Sequence, residues 1–493
     1  MKTESEIFAL CDTIRETSLE LHRYLRHGHL EKVYENGLAH RLRKKGLKIV
    51  QQYALKVLDE DRTVLGDYLA DLLVEDCLIV ELKACKALAD EHVAQLLGYL
   101  RACRMEHGLL VNFGAPRLQI KKYIMSITIE STGLVYRNPH PNLRAVNAWH
   151  PTVTRLPNGV LLCAFDLGQG CESMDYCTHL SRSQDGGNTW ETPQEFLADC
   201  ATPYANTLAR IRAVSDGTVV ALGGHLYRDD PEKGFVNPEN LGYTAMDLFL
   251  SRSKDNGQTW ETPRIIEPPL LGPSWEICHS IVELDDGRWL APMSTWKGWN
   301  GEAPNGMRAV ALISHDRGET WPEYLDVMDD YANGIIHFEQ SLVQLQDGRL
   351  LAIAWALHEA SGETRPSPYV TSEDGRTFGP PRLTGFHAQT AKLSVLADGS
   401  VLCLYRRHDR PGLWSNLARI EGDEWINLDE TLLWSGAESG MRGETTPGAE
   451  MKELRFGFPN MVLLPDGSMF VVFWCQEDCI NNIRWMKVRV ADG

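Results

Sequence analysis

Apolar residues recur at helical spacing in two early segments. Ile7, Leu10 and Ile14 mark one stripe within residues 4–26, Val33, Leu38 and Leu42 mark another within 30–45, and Gly28 separates them. Strand-like segments follow at 48–58, 66–74 and 77–84, a helix fits 90–104, and 108–113 reads as a further strand. Helices around a short sheet predict an α/β or α+β domain. Beyond about residue 126 the rhythm is all-β and repeats six times: an apolar run, a turn dipeptide, a second apolar run. The dipeptides are Asn158-Gly159, Asp216-Gly217, Asp286-Gly287, Asp347-Gly348, Asp398-Gly399 and Asp466-Gly467. Each suits a type I′ hairpin, with positive φ at both central residues. The spacing leaves room for one four-stranded sheet per repeat, which predicts a six-bladed propeller.

A second repeat lies inside the first. Ser183, Asp185, Gly187, Thr189 and Trp190 recur as Ser253, Asp255, Gly257, Thr259 and Trp260, and as Ser314, Asp316, Gly318, Thr320 and Trp321. Ser372, Asp374, Thr377 and Phe378 form a shortened copy, and residues 421–425 a remnant. The Asp is placed to accept turn N–H groups, the Gly to supply an unusual backbone angle, and the Trp to pack between sheets. The pattern S-x-D-x-G-x-T-W resembles the Asp box of the sialidase superfamily, and the resemblance covers roughly residues 145–493. It implies a six-bladed sialidase-like propeller with its site on the face opposite the hairpin turns.

Counting about eight residues before and after each turn reaches that face. Before the turns stand His150, Leu208, Cys278, Glu339, Thr390 and Phe458; after them stand Asp166, Gly224, Ser294, Trp355, Arg406 and Trp474. Sialidases as a family use a tyrosine nucleophile with a glutamate base, an aspartate acid and three substrate-clamping arginines. Glu339 falls where the family's glutamate sits, but Phe458 occupies the tyrosine position. Trp149 and Trp355 stand where two arginines are expected, and Trp474 where a supporting glutamate is. What remains is Glu339 and Asp166 as candidate catalytic carboxylates, with Trp149, His150, Trp355, Arg406, Arg407 and Trp474 as candidate glycan-binding residues. His279 and His358 fall near the same face. Rings stacking on sugars and carboxylates bonding hydroxyls would make a carbohydrate site; the alternative is that the rings pack the central channel and the charges pair. No cofactor is implied for the propeller.

The N-terminal part carries Gly28, Glu31 and Tyr34, then Glu35, Gln51 and Gln52, Asp71, Glu81 and Lys83, Gln95 and Tyr99, and a closing Asn112, Phe113 and Gly114. Glu81 and Lys83 are two apart on a strand and share a face. A two-residue turn would set Asp71 opposite Val80; a three-residue loop would set it opposite Glu81. Asp71 and Glu81 could then bind Mg²⁺ with the Leu82 carbonyl, Lys83 could orient or activate a water, and Gln95 and Tyr99, at i,i+4 on a helix, could face the same site. The pattern resembles the GxxExxY family over nearly all of residues 5–124, which implies a PD-(D/E)XK nuclease-like fold and a DNA or RNA partner.

Charge sharpens the division. The chain carries a net charge of -18. Residues 1–126 hold 19 Lys/Arg against 18 Asp/Glu, and the rest hold 30 against 49. The acidic part repels nucleic acid at long range and the near-neutral part does not. Its cluster of Arg41, Arg43, Lys44, Lys45 and Lys48 reads either as a phosphate-binding face or as a solvated helix face. No run approaches eighteen apolar residues, and the first twenty residues lack a signal-peptide pattern, so a cytoplasmic protein without a membrane partner is expected. Twelve cysteines without metal-site spacing fit buried thiols. The expected organisation is a multidomain chain: a small α/β PD-(D/E)XK nuclease-like domain (1–125), a linker (126–145) and an all-β six-bladed sialidase-like propeller (146–493). The function that follows is a glycan-binding or glycan-hydrolysing module joined to a Mg²⁺-dependent nuclease-like one. The alternatives are an exo-sialidase with an atypical site and a non-enzymatic binding platform.

Overall fold

The computed structural model describes residues 4–58, 64–103, 105–124, 127–198, 200–202, 205–228, 230–407, 409–436 and 454–491. The chain divides into two compact units, 1–128 with 489–493, and 129–488. No helix among the described residues is long and apolar enough to cross a membrane.

In the first unit, helices α1 (Glu4–Leu25) and α2 (Glu31–Lys44) lead into a five-stranded sheet of β1 (Ile49–Leu58), β2 (Val64–Val74), β3 (Leu78–Lys83), β4 (His107–Asn112) and β5 (Gln119–Ile124), in that order. Helix α3 (Asp90–Cys103) links β3 to β4, which run parallel, as a crossover helix permits. The stripe read from the sequence packs as expected: Ile7, Leu10, Ile14, Leu38 and Leu42 are buried against Val80, Leu82 and Val111. Val33 departs from it and stays exposed. Tyr34 is wholly buried, stacked on Phe113 with ring centroids 4.7 Å apart.

The second unit forms, among the described residues, six sheets in chain order. Residues 126–145, expected to link the domains, instead contain strand β6 (Ile127–Tyr136), which completes the last sheet beside Ile480–Val490. There the Thr132 hydroxyl donates to the Trp485 carbonyl at 2.8 Å. Neighbouring sheets are tied through their leading strands. Ile211 N–H donates to the Thr152 hydroxyl, Arg212 to the Ile281 carbonyl, Asp285 N–H to the Gln344 side chain and Leu393 N–H to the Ser341 hydroxyl. Arg406 donates to the Phe456 carbonyl, and Val153 N–H donates to Asn460, which links the last sheet to the first.

The six turn dipeptides sit in hairpins, but not of type I′. Only the glycine has positive φ, 87° at Gly159 and 83° at Gly399. Leu156 accepts from Gly159 N–H and donates to Val160, so the loop has three residues, a type I turn closed by a left-handed glycine. The Asn or Asp side chain accepts the N–H two residues on, as Asp216 does from Thr218 at 2.9 Å. That bond fixes the acid in the right-handed region.

The S-x-D-x-G-x-T-W segments are compact turns. Asp185 accepts from Ser183, from Thr189 N–H and from the Thr189 hydroxyl, and Trp190 donates to the Gly187 carbonyl. Gly187 has φ 101°, and a Cβ there would lie 2.4 Å from the Phe470 ring of the last sheet. The Thr189 and Ser183 bonds hold the Asp185 carboxyl down at about 2, from 3.8. A depressed acid contributes stability above its unfolded pKa and loses it as pH falls through the folded one. Asp185→Ala is therefore expected to lower the melting temperature at pH 7, with the difference from the parent shrinking between pH 4 and pH 2. A difference that stays constant over that range contradicts the assignment.

Candidate functional site

In the first unit, β2 and β3 pair as Leu72 with Val80 and Val74 with Leu78, around a three-residue loop, Glu75 to Cys77. Glu75 and Asp76 both take positive φ, 52° and 57°. This register sets Asp71 opposite Glu81. The ladder stops there, and the Asp71 carboxylate takes the Leu82 N–H at 2.8 Å. A strand residue points its N–H and C=O to the same side, so the Leu82 carbonyl faces Asp71 as well. Lys83 Nζ lies 2.8 Å from Glu81 Oε1, and both side chains are largely buried.

Burial, then the neighbouring Asp71 charge, raises the Glu81 carboxyl to about 7. Burial also raises Asp71, against the pull of the Leu82 N–H and Lys83. Lys83 is raised despite its burial, because Glu81 pairs with it, and so it is a cation. Two crowded carboxylates against one ammonium suit a divalent cation. Among the described residues no three His, Cys, Asp or Glu side chains are placed to hold a metal. A cation here would use Asp71, Glu81, the Leu82 carbonyl, water and substrate oxygens, which is the habit of Mg²⁺.

The surrounding residues reinforce this pocket. Glu31 opens α2 beside the Ala84 N–H and feels both Lys83 and Asp71; burial raises its carboxyl. Sequence reasoning gave Glu31 no role, although the spacing from Gly28 to Tyr34 had singled it out. Glu35 is buried and accepts from Lys32, Gln51 and Gln52. Gln52 also reaches Asp71 at 3.2 Å. Successive strand residues face opposite sides, and φ 50° at Gln52 is what lets both glutamines reach one carboxylate. Gln95 donates to the Tyr99 hydroxyl at 2.6 Å. Burial raises the Tyr99 phenol and nearby Glu81 adds to it. The basic cluster ends α2, about 20 Å from Glu31 at a helical rise of ~1.5 Å per residue. There Arg43 bonds Gln51 and Lys48 pairs with Asp76.

In the second unit, four leading strands share one irregularity. The ladders skip between Trp149 and Thr152, Phe338 and Ser341, Gln389 and Lys392, and Gly457 and Asn460, two residues facing one each time. The first bulged residue is His150, Glu339, Thr390 or Phe458, with φ of 47°, 48°, 51° and 52°. Bulges re-aim a side chain out of strict alternation. The third sheet differs: its leading strand is broken between Ser274–Glu276 and Val282–Glu283.

The bulges and the break bring two groups together. In one, Glu339 accepts from the Thr390 hydroxyl at 2.6 Å and donates its N–H to Glu276 Oε2 at 2.9 Å. The Cys278 thiol bonds the other Glu276 oxygen. Burial, then Glu339, raises the Glu276 carboxyl to about 7. Burial raises Glu339 also, with Arg406 and Thr390 opposing. In the other group, Asp166 is wholly buried and accepts from Arg210 at 3.0 Å, from Thr178 and from Tyr176. Burial pushes Asp166 up, but Arg210, His150 and Thr178 outweigh it and hold the carboxyl below its ordinary value. His150 approaches Tyr176 and the Phe458 ring, over which Arg210 also lies.

Residues 9–123 match the family model for the PD-(D/E)XK nuclease superfamily, and residues 234–471 match that for a BNR repeat-like domain. The chain joins a PD-(D/E)XK nuclease-superfamily domain to a sialidase-like BNR repeat region. A sialidase from Paraclostridium sordellii is 21% identical over 270 residues, half of this chain and 64% of its own length. The chain thus spans less than two thirds of that relative. Among solved structures, a protein of unknown function from Dyadobacter fermentans matches with TM-score 0.58 at 19% identity, over 75% of this chain and all of its own. The Hadza microbial sialidase Hz136 matches at 0.51 and 16%, over 75% and 72%. The K499G mutant of NanB sialidase from Streptococcus pneumoniae matches at 0.51 and 12%, over 77% and 76%.

Several expectations for the BNR region fail on burial. Trp149, Trp355 and Trp474 are 6%, 3% and 4% exposed and pack in the core, Trp355 stacked on Phe338, so no ring face is left for a sugar. Arg407 is turned to Asp409 and Glu430, away from Arg406. Asp166 is sealed beneath His150 and Arg210 and paired, which removes it as a proton donor. His358 bonds Ser361 instead of joining either group, and His279 is buried against the Ala391 carbonyl. The partner carboxylate of Glu339 is Glu276. Counting from the turn missed it because the third leading strand is broken.

Proposed function

We propose that the protein combines two chemistries: metal-dependent phosphodiester cleavage in the nuclease-superfamily domain, and glycan recognition with glycosidic hydrolysis in a six-bladed BNR propeller. The first reading rests on the convergence of Asp71, Glu81 and Lys83. Asp71, Glu81 and the Leu82 carbonyl would hold Mg²⁺, which supplies Lewis acidity toward a phosphate oxygen. Lys83, kept protonated by Glu81, places positive charge where the phosphate gains negative charge. Glu31 and Tyr99 border the same pocket, and the Tyr99 hydroxyl would donate to the nucleic acid backbone.

The second reading rests on Glu339 and Glu276. Glu339 is the more accessible of the two and stands on a bulge with Thr390. Glu276 beneath it, at about 7, can exchange a proton near neutral pH. With Phe458 in place of a phenol, the chemistry is carboxylate acid/base work on a neutral or uronic sugar, with His150 as a hydroxyl or carboxylate partner and the buried Arg406 supporting Glu339 electrostatically. The full chain is expected to release sugar from a fluorogenic glycoside panel, with Glu339→Gln lowering kcat at least 100-fold and Glu276→Gln mainly flattening the pH profile near 7. A panel without turnover, but with glycan-array binding lost in Glu339→Gln, leaves recognition alone. An empty array overturns both.

A further inference from the structure

Between the bulges and the hairpin turns, the leading strands of the second unit line a cavity of about 770 Å³, walled by Arg212, His279, Ser280, Glu283, Asp285 and Lys392 among others. Its charges are unevenly matched. Lys392 Nζ lies 3.3 Å from His279 Nδ1, and His279 Nε2 meets the Ala391 carbonyl at 3.2 Å. That arrangement makes Nδ1 the acceptor, so the imidazole is neutral and leaves the ammonium uncompensated. Among the described residues Arg212 donates to one backbone carbonyl, that of Ile281. Among the described residues neither cation has a carboxylate within ion-pair distance. Glu283, the acid that Arg212 feels, gives both its oxygens to Ser215. Burial and the Arg212 charge together push the Lys392 ammonium down to about 7. Ser280, on the same wall, is buried and its hydroxyl has no hydrogen-bond partner.

Two cations held together without an ion-paired carboxylate cost free energy unless an anion or water compensates them. We propose that this cavity is a binding site for a tetrahedral oxyanion, a phosphate or sulfate group, held between Arg212 and Lys392 with Ser280 as a further donor. A guanidinium fork and an ammonium together suit such an anion. Neither Glu339 nor Glu276 lines this cavity, and the proposal does not rest on either activity above.

The test is isothermal titration of the full chain with inorganic phosphate and with sulfate, in low-chloride buffer at pH 7. Saturable binding at one site per chain is expected, with a melting temperature that rises with phosphate concentration. Lys392→Met and Arg212→Gln should each weaken binding at least tenfold. Lys83→Met should leave it unchanged, which separates this site from the nuclease pocket. Ser280→Ala, which disturbs the fold least, should weaken it a few-fold and keeps the test informative if a cation variant fails to fold. Displacement of inorganic phosphate by a phosphate monoester would mark an esterified ligand, and failure to displace it a free ion. Absence of saturable binding, or binding indifferent to Lys392 and Arg212, overturns the proposal.

Discussion

Replacing Asp166 by alanine is expected to cost the BNR region about 3–5 kcal/mol, the usual penalty for orphaning a buried charge. Asp166 is fully buried and Arg210 is 6% exposed, so the guanidinium could not turn to water once its partner is gone. Arg210 Nε already lacks a partner, and the loss would also strip the acceptor from Thr178 and Tyr176. Thr178 in turn accepts Ala209 N–H from the second sheet, so the damage spreads across a sheet boundary. Urea denaturation followed by tryptophan fluorescence reports this region, since the chain's tryptophans all lie beyond residue 148. The pH dependence has a definite sign. The folded carboxyl is held below its ordinary 3.8, so its contribution is whole above that value and fades as pH falls further. Asp166→Leu combined with Arg210→Met should recover most of the loss, because an apolar pair needs no compensation. A single variant within 1 kcal/mol of the parent would show that water reaches Arg210 and that the pair is not a buried hub.

The chain order of the sheets was readable because one local chemistry repeats: glycine at a left-handed position after an Asn or Asp that bonds the N–H two residues on. The same dipeptide misled about turn type, because Leu156 pairs with Val160 and so adds a residue to the loop. Counting from the turn found His150, Glu339, Thr390 and Phe458, since four strands keep equal length to the bulge. The bulges themselves left no mark, for none of those residues is glycine. Each bulge also decides whether a neighbouring ring faces the mouth or the core. Trp149 and Trp355 therefore looked like sugar platforms and are packing residues. Glu276 was hidden because its strand breaks before the count reaches it. In the first unit, the two-residue period of Glu81 and Lys83 survives folding intact. The open question there was loop length, which the left-handed Glu75 and Asp76 settle.

Glu81→Gln is expected to reduce Mg²⁺- or Mn²⁺-dependent cleavage of DNA or RNA at least 100-fold, about 2.7 kcal/mol of transition-state stabilisation. Lys83→Met should match it, because the ammonium acts at the same phosphate. The geometry adds a second readout that does not depend on turnover. Glu81 sits at about 7 without a cation, whereas a ligand carboxylate must be deprotonated. Metal affinity, measured by Mn²⁺ titration, should therefore fall steadily as pH drops from 8 to 6, and Glu81→Gln should weaken binding and remove that slope. Stability carries the opposite sign from Asp166. A carboxyl raised from 4.5 to about 7 on folding favours the folded state most at low pH, and that advantage is lost as pH rises through this window. Metal-free protein should thus lose stability in its first unit between pH 4.5 and 7, and added Mn²⁺ should restore it at pH 7 in the parent but not in Glu81→Gln. Gln52→Ala tests the support beneath, since its amide joins Asp71 to Glu35. It should weaken metal binding by about tenfold, as loss of an outer hydrogen bond does. If Mn²⁺ binds with equal strength at pH 6 and pH 8, Glu81 is not its ligand, and the carboxylate pair serves only to hold Lys83 in place.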